Sequence, residues 1–145
     1  MTTRADVVVE ARTWIGTRWH HLGRIKGVAC DCAGLVIGVA RALRLPDFDV
    51  TGYGTTPHAG TLRRLCDENM RPIGQAEPQP GDVALMSWGS EPQHLAIFGD
   101  YPGGMSLIHA WAAARKVTVD RSDGSTSRPG SAPETKPWWA AHWCT

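Results

Sequence analysis

The chain has 145 residues, 42% of them hydrophobic and 20% charged, enough for one domain to bury roughly two-thirds of the surface its unfolded form exposes, without a disulfide framework. Its 15 Lys and Arg against 14 Asp and Glu give a net charge of +1; with no basic run, this excludes the electrostatic footprint of a nucleic-acid binder. No stretch approaches the ~20 apolar residues of a membrane span, and the first residues lack the hydrophobic run and cleavage site of a secretory signal.

Synthesis in a reducing cytoplasm is therefore expected. There, the four cysteines point to chemistry, metal or burial before disulfides. Along the chain, "TTRADVVVEARTWIG" reads as a helix: Val7, Val8, Ala11, Trp14 and Ile15 fall on one apolar face, Thr3 with Asp6 forms a capping box, and Gly16 is the stop. An aromatic, basic loop, "TRWHHLGRIKGVAC", follows. Cys32 to Leu45 carries Leu35, Val36, Val39 and Leu43 at helical spacing; Gly34 and Gly38 permit close packing, and Pro46 closes the segment.

"DFDVTGYGTTPH" reads as loop, and "AGTLRRLCDENM" as a short helix using Leu62, Leu65, Cys66 and Met70. After the turn-rich "QAEPQPGD" the period changes to alternation. Strands are predicted at Asp82 to Trp88, His94 to Gly99, Met105 to Trp111 and Lys116 to Asp120. "RSDGSTSRPGSAPETKP" reads as a long surface loop and "WWAAHWC" as one more strand. Helices first and antiparallel sheet after is the layout of a single α+β domain over residues 1–145.

The chemistry concentrates in "GVACDCAGLV". If Cys32 occupies the first turn of an apolar helix, the unpaired N–H groups and the positive dipole end favour its thiolate. A nucleophilic thiol also needs an imidazole to handle protons. Read as a hairpin with the loop Asp100 to Gly103, "HLAIFGDYPGGMSLIHAW" puts Gly99 opposite Gly104 and His94 opposite His109, about 5 Å apart at Cβ. One ring then serves as base and the other fixes its tautomer.

Other readings compete. Cys30, Cys32, His20 and His21 could form a zinc clip, though C-x-C departs from the usual C-x₂₋₄-C spacing. A disulfide between Cys30 and Cys32 would be strained, and either thiol could simply be buried. His20, His21 and His142 read as surface or cleft-lining, and His58 lies in a loop without a visible partner. Of the seven tryptophans, Trp14 and Trp88 read as core, Trp138, Trp139 and Trp143 as anchors of the last strand, and Trp19 and Trp111 as cleft walls.

In order and spacing, "CDCAGLV", "QPGDVALM", "HLAIF" and "LIHAW" resemble the NlpC-type cell-wall cysteine peptidases, and the opening stretch looks most like the short peptidases of phage and gene-transfer-agent tail modules. The resemblance spans Ala5 to about Trp111. It implies a papain-like α+β fold, with N-terminal helices packed on a C-terminal antiparallel sheet. It also implies hydrolysis of a peptide bond in peptidoglycan stems, typically next to D-glutamate, without metal or organic cofactor.

By position, the resemblance makes Cys32 the nucleophile, His94 the base, His109 the polar residue that orients it, and Asp31 the acidic residue linked to the substrate's amino end. Trp19 stands where a tyrosine is usual and Ala33 where a serine is common, so two polar contacts are replaced. The partners implied are a stem peptide and the tail-tip or hub proteins of a phage-like particle, with action in the periplasm. The competing reading is a structural tail-tip or adaptor protein of the same fold with weak or no catalysis.

Overall fold

The computed structural model describes residues 1–45, 47–55, 60–73, 78–87, 92–122 and 139–143. The first helix, α1 (Arg4–Thr13), opens with the expected capping box: the Thr3 hydroxyl accepts from the Asp6 N–H while the Asp6 carboxylate accepts from the Thr3 N–H. Val7, Val8, Ala11 and Trp14 are buried. Ile15 is 47% exposed, because the helix ends at Thr13 and carries Ile15 off its apolar face.

After a small hairpin of β1 (Arg24–Ile25) and β2 (Ala29–Cys30) comes α2 (Cys32–Ala42), whose residues Cys32 to Ala40 are all buried. Gly38 is required there: a Cβ at that position would collide with the Trp14 indole. The helix was expected to reach Leu45 but stops at Ala42. Its end is a Schellman motif, with the Leu45 N–H bonded to the Ala40 carbonyl, the Arg44 N–H bonded to the Arg41 carbonyl, and Arg44 in the left-handed region at φ 56°. The helix α3 (Thr61–Asn69) buries Leu62, Leu65 and Cys66 as their spacing predicts.

Among the described residues six antiparallel strands form the sheet: β3 (Met70–Ile73), β4 (Val83–Ser87), β5 (Pro92–Tyr101), β6 (Gly104–Trp111), β7 (Lys116–Arg121) and β8 (Trp139–Trp143). Their order is β3-β8-β4-β5-β6-β7. The strand expected at the end of the chain thus inserts between β3 and β4, and β3 itself was not anticipated. Helices α1, α2 and α3 share one core with Val83, Leu85, Leu95, Ile97, Ile108 and Val117 from the sheet. This is the α+β arrangement that the order of elements implies.

The "QPGD" turn has a physical reading. Gly81 sits at φ +93° with its α-carbon against the Arg4 backbone, where a side chain would clash. Asp82 is fully buried, accepts from the Gln79 N–H and pairs with the Arg4 guanidinium. The motif therefore ties the start of β4 to the start of α1.

One register expectation is corrected. The β5–β6 turn has two residues, Pro102 and Gly103, so Tyr101 pairs with Gly104 and Gly99 with Ser106. Pro-Gly suits a tight turn, and Gly103 takes φ +92°. The displacement is two positions, which preserves side-chain faces; His94 and His109 still meet, though not as a directly opposed pair. His58, Trp88 and Trp138, and the predicted loop beyond Ser122, lie outside the described residues.

Candidate active site

Asp31 precedes α2 as its N-cap and organises the region. Its Oδ1 accepts from the Gly34 N–H at 2.8 Å and from Arg24 at 2.9 Å; its Oδ2 accepts from the Tyr53 hydroxyl at 2.6 Å and the Leu22 N–H at 2.9 Å. All four acceptor directions of the carboxylate are thus engaged from within. Arg24 in turn donates to the Gly23 and Val50 carbonyls, to Asp49 and to Tyr53, binding the loop around residues 49–53 to the helix start. Burial first, then Asp31, raise the Tyr53 phenol above its ordinary range, so it stays a donor.

Cys32 follows as the first residue of α2 and is 6% exposed. Burial first and the Asp31 charge second push its thiol up to about 12; the Leu95 and Ala33 N–H groups and Arg24 pull the other way. The Leu95 N–H that acts on the sulfur lies on β5, one residue from His94. Burial and the adjacent His109 hold His94 well below 6.5. Both shifts run against the thiolate that the helix start favours: loss of hydration opposes the helix-start field and favours the neutral form of each group.

Behind His94 runs a chain of hydrogen bonds. His94 Nε2 lies 2.7 Å from His109 Nδ1, and His109 Nε2 lies 2.8 Å from Asp120 Oδ2. Trp111 holds both rings, edge-on to His94 at 5.4 Å between centroids and stacked on His109 at 5.7 Å. Both histidines are buried.

These side chains converge on one cleft of about 200 Å³ lined by Cys32, His94, Asp31, Trp19, Trp111 and Tyr53, among others. Trp19 is fixed there through its backbone, which bonds to Arg115 and bridges Cys30. His109 does not line the cleft and reaches it only through His94. His21 packs edge-on against Tyr53, while His20 is exposed. Cys30 is fully buried and its thiol is pushed up to about 12, by burial first. Among the described residues no three His, Cys, Asp or Glu side chains are grouped to hold a metal ion.

Sequence reasoning missed Asp120, Tyr53 and Arg24. Asp120 had one available signal: in the predicted strand from Lys116 it alternates with Val117 and Val119, on the face opposite theirs. Nothing in "DFDVTGYG" marks Tyr53 as buried, because its burial depends on Arg24 and Asp31, 29 and 22 positions away in sequence.

No family model matches the chain, and no curated protein matches it in sequence. Solved structures do. The chain is similar to the NlpC/p60 domain of the peptidoglycan hydrolase SagA, with a TM-score of 0.65 and 22% identity over 97% of this chain and 98% of that one. An NlpC/p60 family protein from Bacillus cereus gives a TM-score of 0.66 at 18% identity, covering 97% of this chain and 40% of that one. NlpC1 from Trichomonas vaginalis gives 0.65 at 15%, covering 94% and 42%. The chain thus spans nearly the whole SagA domain and under half of the other two chains. The fold is a papain-like α+β domain of the NlpC/p60 type.

Proposed function

We propose that the protein is a cysteine peptidase that hydrolyses peptide bonds in peptidoglycan stems. The observation that carries this reading is the convergence on one cleft of a helix-start thiol, Cys32, and an imidazole, His94, backed by His109. The fold shared with a domain of a peptidoglycan hydrolase supports the substrate class.

In this reading His94 takes the Cys32 proton as the sulfur attacks the scissile carbonyl, so no resting thiolate is required. Backbone N–H groups at the start of α2, that of Cys32 included, hold the oxyanion. The His94 imidazolium then protonates the departing amine, the C–N bond breaks, and water hydrolyses the thioester to regenerate the thiol. Trp19 and Trp111 act as cleft walls. Asp31, engaged from within, acts on the substrate's amino end through the groups it orders, Tyr53 first.

The setting we propose is a phage-like or gene-transfer-agent tail acting in the periplasm, supported by the likeness of the opening stretch to tail-module peptidases. The test is digestion of purified peptidoglycan followed by mass spectrometry. Wild-type protein releases stem fragments, and Cys32→Ala, folded by circular dichroism, releases none. Equal release by the two would overturn the thiol mechanism; no release by wild type would favour the adaptor reading.

A further inference from the structure

We propose that Asp120 is a positioning residue that sets the ring tautomer of His94 through His109. Asp120 stands on β7 at the position paired with Leu107, and His109 is paired with Thr118, two residues away on the same strand. The carboxylate thus reaches His109 diagonally across the ladder, on the same face.

An ionised carboxylate only accepts hydrogen bonds. At 2.8 Å from Asp120 Oδ2, His109 Nε2 must therefore carry the proton, since the alternative sets a lone pair against a negative oxygen. A neutral imidazole has one N–H, so His109 Nδ1 becomes an acceptor. The 2.7 Å contact to His94 Nε2 is then donated by His94, which leaves His94 Nδ1 unprotonated. Run in the opposite sense, the same contacts would put the proton on Nδ1, and His94 could accept nothing there.

The stacked Trp111 ring keeps His109 in plane for both bonds. Asp120 is 17% exposed at its side chain while His109 is fully buried, so the carboxylate retains contact with water and the rings do not. Asp120 does not line the cleft. Its effect on turnover, which rests on the peptidase reading, passes through the two rings.

The test is long-range ¹H–¹⁵N spectroscopy of the histidine rings in the full-length protein at about pH 8, above the ordinary histidine range. Wild type is expected to show Nε2–H and bare Nδ1 at both His94 and His109. In Asp120→Asn, which can donate as well as accept, the pattern mixes or inverts; Asp120→Ala serves as the second variant. With a stem-peptide substrate, kcat falls at least about 10-fold while KM holds. Nδ1–H on wild-type His94, a doubly protonated His109, or unchanged ring signals in both variants would each overturn the inference. The expected tautomers in a protein that cleaves no peptidoglycan would sink the peptidase reading and leave this one standing.

Discussion

Asp31 shows how much one side chain can be asked to hold. It caps α2, receives Arg24 and the Tyr53 hydroxyl, and fixes the Leu22 N–H at a residue with φ 62°. Removing a buried carboxylate that satisfies a guanidinium, a phenol and two amides leaves several buried donors without partners. Asp31→Ala is expected to lower unfolding free energy by about 3–5 kcal/mol, read as a reduced urea midpoint, whereas a loss under about 1 kcal/mol would mean that the cap is its whole contribution. At this scale the sequence was legible where a side chain sits inside a dense local pattern, as with Cys32, His94 and His109. It was not legible for Arg24, Tyr53 and Asp120, whose partners are set by tertiary contacts between loops and strands.

The elements were legible where periodicity is local. Helices α2 and α3 and the strands β4 to β7 follow from their spacing, and the α1 capping box from Thr3 and Asp6 alone. Less legible were boundaries decided by backbone geometry, such as the Schellman end at Arg44 and the Pro102–Gly103 turn. Gly38 lies under Trp14 with no room for a methyl group. Gly38→Ala should therefore destabilise by about 1–3 kcal/mol despite the better helix propensity of alanine, checked by thermal unfolding. The insertion of β8 is a second case, because pairing with both β3 and β4 is invisible in a terminal segment. Deleting residues 139–145 exposes the edges of β3 and β4 that β8 joins. The truncated chain is expected to lose cooperative unfolding or to aggregate, and a soluble, cooperative product would contradict this account of the sheet.

For the whole molecule, the two halves of the site come from different layers: the helix layer supplies the sulfur and the sheet supplies the imidazole. Burying that imidazole neutral leaves a signature in global stability. Because His94 titrates well below 6.5 when folded and near 6.5 when unfolded, the unfolded chain takes up the proton first as pH falls. Stability is fully present above about pH 6.5 and declines below it by up to about 1.4 kcal/mol per pH unit until the folded value is reached. Urea midpoints between about pH 6.5 and 4.5 should show this slope and lose much of it in His94→Gln; Asp6 and Asp49, lowered from 3.8, act below that window. Most direct for the central claim is site-mapped alkylation of Cys32 by iodoacetamide near neutral pH. If His94 takes the thiol proton, Cys32 labels ahead of Cys30 and Cys66, and labelling slows at least about 10-fold in His94→Gln. Equal rates in the two proteins would contradict the pairing of sulfur and imidazole.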